Sequence, residues 1–434
     1  MNEVRRVYLD MVGCRLNQSE LESFARQFRA AGYTLVETPE GADWVVINTC
    51  TVTAAADADS RAKARQAHRA GAKQIALTGC WATLHPSEAQ ALPGVTHVIP
   101  NDQKESLVGQ LTELYDLEPL EREPLPGSRH RTRAFIKVQD GCDNHCTFCV
   151  TRLARGHSRS RPIRDVLADI RAALGEDKGA LDGTAFAREI VLSGVHLGSW
   201  GQDFTPPLHL RHLIQAILQE CDVPRLRLSS LEPWDLDERF FRLWENPRLC
   251  RHLHLPLQSG CAETLRRMAR KTTPQEYARL IETARALIPD LAITTDIIVG
   301  FPGEDANEFA QSLAFIEQMG FAGGHVFAFS ARPGTAAARL SAQVPPALRK
   351  QRSQQVRKIL AASAYAYRRN FLGKTVRVLW ETAQGDALHG WWLGGLSDNY
   401  LRVQALSPQP LTNQLSEVRI TTLMGEEMSG ILLS

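Results

Sequence analysis

Residues 137–149 read Lys137-Val138-Gln139-Asp140-Gly141-Cys142-Asp143-Asn144-His145-Cys146-Thr147-Phe148-Cys149. The apolar stretch Ala134–Val138 predicts a strand. It runs directly into a polar loop that carries three thiols spaced C-x3-C-x2-C. In a barrel of parallel strands, loops at the C-terminal strand ends build the active site. A cubane iron–sulfur cluster has four irons, each wanting a terminal ligand, usually a thiolate. Three thiols leave one iron open to a small molecule, which points to chemistry on a bound cofactor rather than to plain electron transfer. A structural zinc site is the alternative. Zinc wants four closed ligands, and the fourth here would be His145 or a distant residue.

Working outward, the loop heads a series of strand–helix units. Strands are predicted at Ala134–Val138, Glu189–Leu192, Leu226–Ser229, Leu253–Leu257, Ile293–Val299 and Val326–Phe329. Helical periodicity lies between them at Arg164–Leu174, Leu208–Glu220, Pro274–Leu287 and Asp305–Met319. Six parallel strands over roughly 200 residues fit an open (β/α)6 barrel, since a full eight-unit barrel usually takes about 250. Upstream, strands at Val7–Val12, Trp44–Ile47 and Gln74–Leu77 alternate with helices at Gln18–Ala31 and Ala54–Ala70, which implies a parallel α/β sheet. Leu120–Arg133 is rich in Pro, Gly, Ser and Arg and reads as a linker. Pro345–Asn370 reads as one long basic helix. Beyond it, alternation at Thr375–Trp380, Tyr400–Val403 and Ser416–Ile420 predicts a small antiparallel β-barrel. The expected division is an N-terminal domain over 1–120, a barrel over 133–335, a connecting helix over 336–370 and a β-module over 371–434.

Composition bounds the function. The chain has 434 residues, is 44% hydrophobic and carries a formal net charge of +2. No stretch reaches the roughly 18 apolar residues of a membrane span, and Met1-Asn2-Glu3-Val4-Arg5-Arg6 does not begin a signal peptide. The expected location is cytoplasmic, without membrane association. Nine cysteines in such a chain favour metal ligands or core residues over disulfides.

Three of them repeat one local position. Cys14, Cys50 and Cys80 each end a predicted strand, in Val12-Gly13-Cys14, Asn48-Thr49-Cys50 and Thr78-Gly79-Cys80. C-terminal strand ends of a parallel sheet share one edge, where ligands bind. The three thiols should therefore converge, and a second 4Fe–4S cluster with one open iron accounts for them better than three buried cysteines or an incomplete zinc site. Cys221, Cys250 and Cys261 lack such spacing and read as core.

C-x3-C-x2-C with Phe148 before the last cysteine resembles the signature of the radical S-adenosylmethionine superfamily. Two three-cysteine sets in this order, with a C-terminal TRAM-like barrel, resemble the methylthiotransferase family over nearly the whole chain. The matching segments include Gly13-Cys14-Arg15-Leu16-Asn17-Gln18, Asn48-Thr49-Cys50-Thr51-Val52-Thr53 and Lys137–Cys142. The resemblance implies two 4Fe–4S clusters, one on Cys142, Cys146 and Cys149 and an auxiliary one on Cys14, Cys50 and Cys80, with S-adenosyl-L-methionine on the open iron of the first. One cofactor molecule then yields a radical that abstracts hydrogen, and a second supplies the methyl of a methylthio group. The sheet edge must then face the barrel mouth.

Strand-end turns at the barrel mouth supply candidate cofactor contacts. The family uses a turn like Ser193-Gly194-Val195 near the methionine amino group. Ser230 or Glu232 could hold ribose hydroxyls. Gln258 follows the fourth strand, and Gly300, in Ile297–Glu304, lies in a segment similar to the family's adenine contact. Ordinary turn chemistry also explains each one singly, and Glu304 could simply cap the next helix.

Family members act on tRNA beside the anticodon or on a ribosomal-protein aspartate. Arg152, Arg155, Arg159, Arg161 and Arg164 fall in an acid-free run, Arg129, Arg131, Arg133 and Lys137 precede the loop, and Arg349, Lys350, Arg352, Arg357 and Lys358 lie on the long helix. Such runs fit phosphate contacts. Arg15–Glu20 and Asp57–Arg61 look most like the branch that modifies N6-threonylcarbamoyladenosine. The isopentenyladenosine branch, the protein-modifying branch and a non-catalytic iron–sulfur carrier are the alternatives. An electron donor such as a flavodoxin or ferredoxin is implied. Residues 371–434 are slightly acidic, unlike most TRAM modules, and Trp391, Trp392 and Tyr400 are expected to pack rather than to stack on bases.

Overall fold

A computed structural model describes residues 5–115, 132–175 and 186–433. Most of the predicted linker, with Arg129 and Arg131, lies outside the described residues.

The N-terminal sheet holds β1 (Arg6–Met11), β2 (Thr34–Leu35), β3 (Trp44–Thr49), β4 (Gln74–Gly79) and β5 (Val95–Ile99), all parallel, in the order β2-β1-β3-β4-β5. β2 and β5 escape the sequence reading. β3 is buried at every residue, as a central parallel strand covered on both faces must be. Helix Arg15–Ala30 packs on one face with Phe24, Phe28 and Val46. Helix Ala54–Arg69 packs on the other with Ala64, Ala67 and Val45. Thr53 caps the second helix by accepting the Ala56 amide at 3.1 Å.

The second unit carries β6 (Arg133–Lys137), the short antiparallel pair β7 (Gln139–Asp140) and β8 (Arg159–Ser160), and then β9 (Glu189–Ser193), β10 (Leu226–Leu228), β11 (His252–His254), β12 (Ala292–Val299) and β13 (Gly323–Ala328). The six parallel strands form two ladders, β6-β9-β10 and β11-β12-β13. Isolated bridges, Leu226 with Leu249 and Ser230 with His254, join them. The α/β expectation holds, while the pairing thins to isolated bridges midway round the arc. One apolar core, from Ile136 through Ile214 and Ile281 to Leu360, backs both ladders. The β7–β8 pair has no apolar signature, and it closes the neck of the thiol loop.

Helix Pro346–Arg369 leads into β14 (Thr375–Asp386), β15 (Gly390–Ser397), β16 (Arg402–Ser407), β17 (Leu415–Met424) and β18 (Glu427–Leu432), a closed barrel in the order β14-β15-β16-β18-β17. Its pairs are antiparallel except β16 with β18, which is parallel, a departure from the all-antiparallel expectation. It docks on the N-terminal ends of the larger barrel's strands. Arg225 and Arg227 donate to the Leu396 and Asp398 carbonyls at 2.9 and 3.0 Å, and Arg251 pairs with Asp398 at 2.6 Å. Tyr400 stacks on His252, with ring centres 4.2 Å apart, so it packs as expected. Trp391 is half-buried against the small core, but Trp392 points outward at 56% exposure because its β15 face meets no second layer.

Candidate active site

The three N-terminal thiols stand on one sheet edge. Asn48 pairs with Met11 and with Thr78, so the ends of β1, β3 and β4 lie side by side. Cys14 immediately precedes helix Arg15–Ala30, Cys50 follows β3, and Cys80 opens helix Cys80–Leu84. Gly13 has φ +95°, and a Cβ there would fall 2.5 Å from the Cys50 sulfur. Only glycine lets the Cys14 turn pass so close to Cys50.

Each of these sulfurs has polar company. Cys14 donates to Asn17 Oδ1 at 3.7 Å, and Cys80 receives the Asn101 amide at 3.9 Å. Burial pushes the Cys50 thiol up to about 11, against the pull of the Val52 amide; the neighbouring Cys14 and Cys80 push the same way. Burial also raises Cys14 although its surface is accessible. A group that is both accessible and desolvated lines a concavity, not a convex surface.

The second trio sits in the loop that β7 and β8 close. Each sulfur receives one N–H: Cys142 from the Asn144 amide at 3.4 Å, Cys149 from the Thr151 amide at 3.4 Å, and Cys146 from Arg270 Nη1 at 3.7 Å. Burial lifts Cys146 to about 11, and Arg270 only partly offsets it. Gln139, wholly buried, donates to the Gly141 carbonyl at 2.8 Å and to Ser158 at 2.9 Å while accepting the His196 amide at 2.9 Å. It ties the loop to the turn after β9. Thr147 accepts the Ala337 amide on its carbonyl at 2.8 Å, and Phe148 packs edge-on to Phe301.

The other candidate cofactor residues ring the same mouth. Gly194 sits against Gln139; a Cβ there would fall 2.9 Å from its Oε1. Glu232 pairs with Arg270 at 2.5 Å, and Arg270 lies over the Trp234 ring at 4.5 Å. Ser230 makes one of the bridges between the ladders. Gln258 bridges to Ile297 with φ +68°. The Gly300 amide donates to Glu304, which also receives Arg352 at 2.9 Å. Asp305, not Glu304, caps the next helix.

His196 is a residue the sequence reading missed. Its Nε2 meets Asp235 at 2.6 Å and its Nδ1 meets the Asn144 amide at 3.3 Å. Burial works against its charge, but Asp235 and Cys142 outweigh that and raise it to about 10. A cavity of about 580 Å³ opens beside it, lined by Asn144, His196, Trp234, Asp235 and Lys271 among others. The only signal in the sequence was a histidine two residues after a strand-end glycine.

Helix Thr151–Arg155, which starts two residues after Cys149, bonds to the unit that carries the N-terminal trio. Arg155 reaches Asn17 at 2.9 Å, Glu20 at 2.9 Å and Asp140 at 2.9 Å. Asn101 bonds the Ala154 carbonyl at 2.7 Å as well as the Cys80 sulfur. Arg332 crosses the same divide to Thr51 at 2.8 Å.

Among the described residues no three His, Cys, Asp or Glu side chains are drawn in to hold a single metal ion. An iron–sulfur cube spreads its thiolates more widely than one ion does. Buried polar atoms without partners, Ser193 Oγ, Ser229 Oγ and Asp296 Oδ1, lie on the barrel strands or at their ends. Accessible yet desolvated thiols, N–H donors on sulfur and unpartnered oxygens at the mouth fit iron–sulfur clusters and a polar sulfonium cofactor.

Comparison with known proteins agrees. The Radical SAM superfamily model matches residues 136–316, and the Uncharacterized protein family UPF0004 model matches residues 6–100. The chain is 34% identical over 438 residues, 98% of its length and 96% of the relative's, to the threonylcarbamoyladenosine tRNA methylthiotransferase MtaB of Thermotoga maritima. The chain belongs to the radical SAM methylthiotransferase family. Methylthiotransferases similar to it include MtaB of Bacillus subtilis, 32% identical over 94% of this chain and 92% of that one. A tRNA-2-methylthio-N(6)-dimethylallyladenosine synthase of Chloroflexus aurantiacus is 32% identical over 98% and 91%. The fold is shared with a radical S-adenosylmethionine methyltransferase, TsrM, of Kitasatospora setae, at a TM-score of 0.56 and 12% identity over 84% of this chain and 89% of that one. As a family member this methylthiotransferase is a transferase that uses 4Fe–4S clusters and S-adenosylmethionine. No helix among the described residues is long and apolar enough to cross a membrane.

Proposed function

We propose that this methylthiotransferase acts on tRNA and places a methylthio group on carbon 2 of N6-threonylcarbamoyladenosine at position 37, beside the anticodon. The observation that carries the reading is the pair of thiol trios whose flanking helices Arg155 ties together, in a chain 34% identical over 98% of its length to a relative that bears that activity in its name. Similarity to the dimethylallyladenosine enzymes is also extensive, so that nucleoside is the second reading.

In this assignment Cys142, Cys146 and Cys149 hold one cluster and Cys14, Cys50 and Cys80 the auxiliary one. When bound, these groups supply one-electron cleavage of the sulfonium and an iron on which sulfur can sit. The chain's own residues position and seal. Arg270 neutralises charge on Cys146, and Glu232 fixes Arg270. Gln139 locks the loop to the Gly194 turn, whose Ser193 hydroxyl is free to take the cofactor's amino or carboxylate group. Ser230, Gln258 and Gly300 line the path on which its ribose and adenine would lie. Phe148, partly buried and backed by the wholly buried Phe301, offers apolar surface on one side. Of the three units, 1–120 supplies the sulfur site and 133–335 the radical site, while 371–434 docks at the foot of the second. The protein works in the cytoplasm with a small electron-transfer donor of flavodoxin or ferredoxin type.

The test is nucleoside analysis of tRNA from a strain lacking the gene. The expected result is loss of 2-methylthio-N6-threonylcarbamoyladenosine with accumulation of its unthiolated precursor. An unchanged profile sinks the tRNA reading. Loss of the isopentenyl derivative instead transfers the assignment to the second reading.

A further inference from the structure

Helix Pro346–Arg369 contains seven Lys and Arg and no acid in 24 residues. The structure sorts six of these charges into two groups. Arg352 is buried against Glu304, Arg349 is spent on the Phe329 carbonyl, and Arg357 on the Val326 carbonyl. Lys350, Lys358 and Arg369 are exposed, and among the described residues the side chain of none of the three has a hydrogen-bond or ion-pair partner. At 3.6 residues per turn they fall, with Tyr365, within a sector of about 100°, opposite the buried Val356 and Leu360. Tyr365 is 49% exposed.

The helix also has a direction that matters. Its first turns bond to Phe329 and Glu304, beside the C-terminal ends of β12 and β13, where the mouth lies. Its last turns bond to Phe321 and Asp290, at the foot where the small barrel docks. It therefore spans about 36 Å from mouth to foot. The small barrel is slightly acidic and holds little attraction for a polyanion. The charge complementarity for RNA lies on the helix.

We propose that Lys350, Lys358 and Arg369, with Tyr365 between the last two, form a track for the phosphodiester backbone of the RNA substrate, running from the barrel mouth to its foot. This rests on the tRNA reading. Each lysine or arginine that neutralises a phosphate releases counterions and adds about one unit to the salt dependence of binding. Tyr365 offers a face for a ribose or an unpaired base.

The experiment uses the full chain with its clusters and tRNA bearing N6-threonylcarbamoyladenosine, with binding measured across a salt series. The K350Q/K358Q/R369Q chain should bind at least about tenfold more weakly at low salt, and its slope of log affinity against log salt should be shallower by about three. Tyr365→Ala should bind about tenfold more weakly with the slope unchanged. A triple variant with the wild-type affinity and slope overturns the track. A wild-type chain that binds no tRNA at any salt overturns the tRNA reading itself, which separates the two failures.

Discussion

Arg155 Nη1 donates to Glu20 Oε1 at 2.9 Å, with both side chains almost wholly buried, 135 residues apart in sequence. Glu20 lies on helix Arg15–Ala30, which starts directly after Cys14, and Arg155 on the helix that follows Cys149. The Glu20 carboxyl is held well below its usual range: burial opposes its charge, but Arg155, Lys104 and Lys137 overcome that. Removing one partner of a buried pair typically costs about 3–5 kcal/mol, because the other charge is stranded. Arg155→Met should therefore loosen the docking of the two thiol sites. The expected outcome is a rise in 5′-deoxyadenosine formed per methylthio product of about tenfold or more. Arg155→Met with wild-type coupling would refute the bridging role.

The two trios should separate by mutation. Cys146→Ala should abolish 5′-deoxyadenosine formation and leave about four irons per chain, those of the N-terminal site. Cys50→Ala should also leave about four irons but retain radical formation and lose the methylthio product. Both are read by iron analysis and anaerobic turnover with dithionite. Retained cleavage in the first variant, or product in the second, contradicts the assignment.

Much of this was legible in the chain. Local periodicity sets the strand ends, and the strand ends alone bring Cys14, Cys50 and Cys80 into one register. The basic run marks Arg155 as a candidate phosphate contact, and the structure corrects this: it is 4% exposed and committed to Glu20, Asp140 and Asn17. Arg161 likewise pairs with Asp169 at 2.8 Å, and Arg352 with Glu304. Composition counts charge, but which charge faces inward depends on carboxylates supplied by distant elements. Gln139 was hidden for the same reason. A lone glutamine has no pattern, and its partners come from the thiol loop, β8 and the β9 turn.

Gly141 precedes Cys142 with φ +71°, and a Cβ there would fall 1.9 Å from the His157 carbonyl oxygen. No side chain can give way, since the obstacle is backbone. Gly141→Ala must either shift the β7–β8 neck or move Cys142 off its turn. Strain at such positions costs about 1–3 kcal/mol before the clash is added. The variant should lose iron from the radical site more readily than the wild type under mild chelation, with N-terminal iron retained. Equal loss rates would show that the turn tolerates a side chain.

Acid should weaken the joint between the two barrels. Glu189, wholly buried, lies between Arg225 at 2.8 Å and Arg227 at 2.7 Å, the two arginines that hold the small barrel's carbonyls. Burial would raise its carboxyl, but Arg227 and Arg225 outweigh that and bring it from 4.5 down to about 2. A folded-state value below the unfolded one stabilises above the unfolded value and is lost as pH falls through the folded one. The contribution is therefore complete above about pH 4.5 and fades towards pH 2, a span worth about 3 kcal/mol. Denaturant unfolding of the metal-free chain across that window should show the loss. Glu189→Gln, which cannot titrate, should be less stable at neutral pH and show a flatter acid limb. An acid limb of wild-type steepness in Glu189→Gln would assign the effect to other carboxylates.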